Sequence, residues 1–276
     1  MKIKAHILQD KRFVFLGAGN MGEALIKALA GSKQVSVAQI TAVDTDREKL
    51  DRVVRSSGVR ISSTYDKIAE SDIIIIAVKP QQMEELIKAI RKFIDEKKLI
   101  ISAAAGISTR WLEERLGTQT AVIRSMPNMP VLAGQGATAL CRGTYATDQH
   151  AQLADAFFKF SGKVVHVSEE QMNAVTALSG SGPAYVFYII EAMLKAGTSL
   201  GLAEKDVLEL TQQTVSGAVE LLRKTGEKPE FLRKKVTSPG GTTEAAIAVM
   251  DAKKLQAIII EAIQKAKERA DELARN

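Results

Sequence analysis

Between Arg12 and about Val167 the chain alternates two kinds of apolar pattern. Short β-branched runs, FVFL (13–16), ITAV (40–43), DIIIIAV (72–78), LIISA (99–103) and AVIRS (121–125), are separated by stretches in which apolar residues return at helical spacing. Strands alternating with helices predict a parallel sheet covered on both faces, because a parallel strand is reached through a crossover. GATALC (136–141) and KVVHV (163–167), on either side of the helical DQHAQLADAFFKF, extend that sheet. After Ser168 the strand pattern stops and nearly everything has helical period. From Glu204 to Lys224, for example, Leu208, Val215, Val219 and Leu222 fall on one face. The expectation is a mainly parallel α/β domain over residues 1–168 followed by an all-α domain over 169–276. Within the second, AYVFYIIEAML (184–194) is apolar on every side except at Glu191, so it needs cover on every side. In so small a domain that cover is a second subunit, and an obligate homodimer follows.

Composition narrows the setting. At 276 residues with 46% hydrophobic content the chain has enough material for two domains and a sizeable core. Its one cysteine, Cys141, cannot form an intrachain disulfide, and MKIKAHILQDKRF lacks the apolar stretch of a secretory signal, so a cytoplasmic location is expected. The longest apolar runs fall well short of the ~18 residues that would cross a membrane. The formal charge is +6, but 38 basic and 32 acidic residues are interspersed without a long basic block. That favours a small anionic cofactor or substrate over nucleic acid.

The first candidate site begins where FVFL runs into Gly17-Ala18-Gly19-Asn20-Met21-Gly22 and then into the helical EALIKALA. In this strand–turn–helix setting G-x-G-x-x-G is the Rossmann dinucleotide fingerprint. Gly17 permits the tight turn, Gly19 lets backbone approach a pyrophosphate, and Gly22 lets the helix pack on the strand. The helix N-terminus offers free N–H groups to the anion. Asp44, at the end of the second strand and twenty-two residues beyond Gly22, stands where an acid accepts hydrogen bonds from a ribose 2′-OH and repels a 2′-phosphate. It favours NADH over NADPH. The bland alternative is that Asp44 caps the helix starting near Asp46, leaving Arg47 to hold a phosphate. Two more strand ends, Val78-Lys79-Pro80 and Ala103-Ala104-Ala105, supply small or pinned residues for ribose and nicotinamide. Asn128, between the prolines of SMPNMP, either satisfies the turn or contacts the cofactor.

Two glycine-containing patches interrupt the helical half: LSGSGPAY (178–185) and TSPGGTTEAAI (237–247). Glycine costs ~1 kcal/mol in a helix interior, so Gly180, Gly182, Gly240 and Gly241 are expected to mark breaks. Pro183 suits the first turn of the apolar helix, and Ser238 or Thr242 would cap the helix TEAAIAVMDAKKL. A Pro-Gly-Gly turn opening onto a helix also converges several N–H groups, and Thr242 and Thr243 add hydroxyls without charge. Such a nest binds a small carboxylate.

Taken in order, GAGNMG, AVKP, SAAAG, MPNMP, LSGSGPAY and SPGGTT resemble the pyrroline-5-carboxylate reductase family, over essentially the whole chain from Arg12 to Leu273. The resemblance implies a Rossmann domain followed by a helical domain that interlocks subunits into dimers, often pentamers of dimers. It also implies an active site between the Rossmann cleft of one subunit and helices of its partner. Carried over by motif, Leu16, Gly17, Ala18, Gly19, Asn20 and Met21, Val78 to Pro80, and Ala103 to Ala105 would contact NADPH or NADH. Ser238, Gly240, Gly241, Thr242 and Thr243 would hold the carboxylate and ring nitrogen of 1-pyrroline-5-carboxylate. This chain departs from the family in Asp44-Thr45-Asp46, where small or basic residues suited to NADPH are usual, and in Lys235, where asparagine is common.

The reaction implied is hydride transfer to C5 of a cyclic imine, giving proline. A protonated imine is already electrophilic, so positioning counts for more than a strong general acid; Thr243 is the candidate hydrogen-bonding group at the ring nitrogen. Related two-domain hydroxyacid dehydrogenases place a lysine four residues after the second glycine of a G-x-G, and here that position is Val186. His6, His150 and His166 fall outside every motif, and no metal-ligand spacing occurs, so no metal is expected. The rival readings are a reductase of another small imine and a non-catalytic dinucleotide-sensing dimer.

Overall fold

The computed structural model describes residues 7–275. Among them are eight strands in one sheet: β1 (Phe13–Leu16), β2 (Ile40–Val43), β3 (Arg60–Ser62), β4 (Ile73–Ile76), β5 (Leu99–Ser102), β6 (Ala121–Met126), β7 (Gly136–Arg142) and β8 (Gly162–His166). Their spatial order is β3-β2-β1-β4-β5-β6-β7-β8. Every neighbouring pair is parallel except β6 and β7, which are antiparallel. Helices α1 (Asn20–Gly31), α2 (Arg47–Ser57), α3 (Met83–Ile90), α4 (Thr109–Leu116) and α5 (Asp148–Lys159) lie among these strands in sequence.

Two cores explain why the strand sequences are apolar throughout. Phe13, Phe15, Ile73 and Ile75 join Leu25, Ile26 and Phe157 on one face. Their neighbours Val14, Leu16, Ile74 and Ile76 join Met83, Ile87 and Leu112 on the other. Successive side chains of a strand point to opposite faces, so a strand buried on both sides cannot alternate with polar residues. β3 has no such signal: its three residues are Arg-Ile-Ser, and as an edge strand it is short and charged.

The described residues divide into two compact units, one running to Ser181 and taking in the chain from Ala266 onward, the other covering Gly182–Lys265. Strands end at His166, but α6 (Met172–Val175) stays with the sheet because Met172 is fully buried beside Ala139 and Cys141. A π-helical turn, Thr176–Gly180, follows α6 and leads through Ser181 into α7 (Gly182–Ser199). Gly180 and Gly182 therefore stand where one helix ends and the next begins, with only Ser181 between them. A Cβ on Gly180 would lie 2.6 Å from the Met126 methyl, the movable end of that side chain.

The second unit contains α7, α8 (Glu204–Thr225), α9 (Pro229–Lys235), α10 (Thr242–Ala252) and the first half of α11 (Leu255–Arg275). α7 and α8 pack closely at Gly197, where a Cβ would lie 2.7 Å from Val207. The face of α8 that is buried within the chain carries Val207 and Thr211, whereas Leu208 and Val219, on the expected apolar stripe, are exposed. α8 has apolar residues on more than one side, and periodicity alone does not say which side meets its own chain. Phe187 (59%), Tyr188 (75%), Val249 (63%) and Ile258 (55%) are likewise exposed in the single chain.

Candidate active site

The strand order reverses between β1 and β4, because the chain builds outward to β3 and then crosses back. At such a switch point the carboxyl ends of neighbouring strands open a crevice. Gly17, with φ +104°, turns the chain out of β1, and a Cβ there would lie 2.7 Å from the Ala77 carbonyl oxygen at the end of β4. A Cβ on Gly22 would land on the Gly17 carbonyl, so α1 can seat against the turn only without one. Gly19 differs. It is the N-cap of α1, makes no side-chain cap bond, and has open space where a Cβ would be. Gly17 and Gly22 thus meet the steric demands read from the sequence, and the first-turn N–H groups of Asn20 and Met21 have no carbonyl a turn earlier to accept them. Leu16 and Ala18 are buried.

Asp44 is tied into this turn. Its Oδ2 accepts from the Ala18 N–H at 2.7 Å and its Oδ1 from the Asp46 N–H at 2.9 Å. Asp46, not Asp44, caps α2, accepting from the amides of Glu48 and Lys49. The bases nearby are engaged: Arg47 pairs with Asp51 at 3.0 Å, and Lys49 with Asp46 at 3.2 Å and Asp44 at 3.8 Å. Tyr65, which the sequence reading missed, belongs to the same neighbourhood. Burial pushes its hydroxyl up from the usual range, and the charge of Asp44 adds to the shift. It stands just past a three-residue strand without an apolar pattern, so nothing local advertised it.

The other strand ends behave differently from one another. Ala77 keeps one ladder bond to Leu16, Val78 is half-buried, and the Lys79 side chain is exposed, not pinned; Pro80 opens a short 3₁₀ turn. Ala103 donates to Ile76, and Ala104 is buried while Ala105 is half-buried. Beyond them Gly106, at φ +77°, is approached by α11: a Cβ would lie 3.3 Å from the Leu273 carbonyl oxygen. The N-terminus of α4 is fixed by Glu169, which accepts from both the amide and hydroxyl of Thr109 (3.1 and 2.8 Å) and pairs with buried Arg124. Asn128 is buried with both ends of its amide engaged, donating to the Ser179 carbonyl at 3.0 Å and accepting from the Ala137 N–H at 2.9 Å. These bonds tie the 125–130 turn to the start of β7 and to the π-helical turn.

In the second unit, Gly240 takes φ +70° and the Gly241 N–H closes a turn onto the Ser238 carbonyl at 3.0 Å. Gly241 is the N-cap of α10 without a side-chain cap, so neither Ser238 nor Thr242 plays the capping part expected of it. The carboxylate of Glu244 instead reaches back to the Gly240 N–H at 2.7 Å. Thr242 and Thr243, the first two helical residues, project hydroxyls and amides at the same end. Lys235 is drawn away to Glu227 (2.8 Å) and lies over the Phe231 ring.

No group of three or more metal-ligating side chains occurs among the described residues, and no helix there is long and apolar enough to cross a membrane. His6 lies outside the described residues. Burial, with the Glu169 charge, pushes the Cys141 thiol up to about 11, far from a nucleophile's range. A cavity of about 530 Å³, lined by Arg12, Arg60 and Lys67 among others, opens at the amino ends of β1 to β3, the opposite edge from the glycine turn.

Comparison with known proteins agrees with this layout. The pyrroline-5-carboxylate reductase dimerisation family matches residues 169–273, and the family described as NADP oxidoreductase, coenzyme F420-dependent, matches residues 12–106. The chain is 37% identical over 264 residues to the pyrroline-5-carboxylate reductase of Arabidopsis thaliana, covering 95% of each. It superimposes with a TM-score of 0.89 on a pyrroline-5-carboxylate reductase from Coxiella burnetii, at 34% identity over 96% of this chain and 99% of that one. The Plasmodium falciparum pyrroline carboxylate reductase with NADP bound gives the same TM-score at 26% identity, covering 96% and 99%. With near-complete coverage at this identity and matching architecture, the chain belongs to the pyrroline-5-carboxylate reductase family.

Proposed function

We infer that this protein reduces 1-pyrroline-5-carboxylate to L-proline, with a nicotinamide dinucleotide as the electron donor. What supports the reading most is the presence in one chain of the open glycine turn at Gly17–Gly22 and the uncharged Ser238–Thr243 turn. A dinucleotide-sensing protein would need the first and have no use for the second.

The residues of the first turn fit a dinucleotide: Gly19 leaves room, the start of α1 offers amides, and Asp44 stands at the ribose end. When bound, the reduced cofactor supplies the hydride. The Ser238–Thr243 turn receives the imino acid, its N-terminal amides facing the carboxylate and the Thr243 hydroxyl facing the ring nitrogen. The imine is bound protonated, so its C5 is electrophilic before the hydride arrives, and addition there leaves a neutral secondary amine that takes its further proton from solvent. The protein's contribution is alignment, worth several kcal/mol.

Three finer assignments belong to the same proposal. Asp44, with its basic neighbours neutralised, favours NADH over NADPH. The exposed apolar side chains of α7, α8 and α10 form a homodimer interface, and dimers assemble further into decamers. The enzyme works in the cytoplasm, with no nucleic-acid partner. The test is loss of absorbance at 340 nm with pyrroline-5-carboxylate and each nucleotide in turn. Turnover with NADH in excess of NADPH is expected, and no turnover with either would overturn the assignment.

A further inference from the structure

We propose that Glu244 sets the charge at the substrate turn and holds down its affinity for the carboxylate of the product. The proposal rests on the assignment of Ser238–Thr243 to the imino acid.

The Gly240 N–H points into a turn whose use is to accept an anion, yet it is already given to a carboxylate of the same chain at 2.7 Å. The Gly241 N–H is spent on Ser238. A ligand carboxylate is left with the amides of Thr242 and Thr243, the two hydroxyls, and a full negative charge already seated on the Gly240 N–H. Among the described residues no ion pair or hydrogen bond joins Glu244 to a cation, and Lys235, nine positions before it, is held by Glu227 at 2.8 Å. Glu244 also has a purely structural part: an acid in the first turn of a helix is favourable against the helix dipole and an N–H bond adds to that. The two roles separate by charge. A structural role depends on the hydrogen bond, which glutamine's carboxamide oxygen preserves. The proposed role depends on repulsion between two carboxylates, which glutamine removes and which discriminates between charged and neutral ligands.

For like charges about 5 Å apart in a watery setting the repulsion corresponds to roughly a three- to tenfold change in affinity, smaller at high salt. Its consequence for the enzyme is weak retention of proline, so that product leaves readily.

The experiment compares inhibition of full-length wild type, Glu244→Gln and Thr243→Ala by L-proline and by L-prolinamide, whose carboxamide is neutral. In Glu244→Gln the inhibition constant for proline is expected to fall about three- to tenfold while that for prolinamide moves less than twofold, with the difference shrinking as salt is raised. Proline and prolinamide shifting together, no shift in either, or weaker proline binding would overturn the role of Glu244. Thr243→Ala separates this failure from that of the underlying assignment. If it weakens both inhibitors while Glu244→Gln changes nothing, the turn is the substrate site and Glu244 is only structural; if neither substitution moves either inhibitor, the site assignment itself falls.

Discussion

At the scale of the residue, the proposed chemistry of both turns rests on single side chains. Thr243 is the hydroxyl assigned to the reacting nitrogen, and loss of one hydrogen bond is worth about 1.4 kcal/mol, so Thr243→Ala is expected to lower kcat about tenfold with an unchanged far-UV spectrum. Wild-type kinetics would remove it from the site. Asp44 bears its charge between the Ala18 and Asp46 amides, so Asp44→Asn keeps an acceptor there while removing the repulsion of a 2′-phosphate. The ratio of kcat/KM for NADPH to that for NADH should rise about tenfold, and an unchanged ratio would show that Asp44 does not discriminate. Gly22→Ala places a methyl against the Gly17 carbonyl oxygen, a backbone atom that moves only with the turn. Dinucleotide affinity by fluorescence titration should drop at least tenfold. The steric demands at Gly17 and Gly22 were legible in the sequence because each is a local requirement of the turn. Tyr65 and the fate of the Asn128 amide were not, since both depend on residues brought close by the sheet.

At the scale of elements, the join between α1 and α2 is ionic. Glu23 is buried in the first turn of α1 and pairs with Lys27 and Arg52, both at 2.7 Å. Burial pushes its carboxyl up, but the hydrogen bonds and charges of Lys27 and Arg52 together outweigh this and hold it below the ordinary 4.5. A carboxyl lowered on folding contributes stability that is complete above its unfolded pKa and is lost as pH falls through its folded one. Glu23→Gln should therefore lower Tm near neutral pH and flatten its decline on acidification below about pH 4.5; an acid limb identical to wild type would rule this out. The helices themselves were largely visible from their periodicity, and α10 began where the glycines said it would. What escaped was the π-helical turn that joins α6 to α7 with only Ser181 between helices, and the approach of Met126 to Gly180.

At the scale of the molecule, the second unit buries little by itself. Val207 is its one apolar side chain buried in the single chain, while Phe187, Tyr188, Val249 and Ile258 are exposed. Single chains rarely leave apolar side chains exposed in such density, and burial by a second copy would make folding and association one process. Tm should rise with protein concentration, and sedimentation at low nanomolar concentration should detect no folded monomer; a stable monomer with concentration-independent Tm would refute the obligate dimer. The sequence by itself determined the class of the sheet, the dinucleotide turn and the need for outside cover, because strand periodicity, glycine sterics and apolar excess are properties of neighbouring residues along the chain. Only the tertiary structure decided the edge strand β3, the grip of Asp44 on Ala18, the use of Asn128 as a strut and the reach of Glu244 to Gly240. These are matters of which hydrogen-bonding partner lies within 3 Å, and that depends on how the backbone bends rather than on the order of the residues.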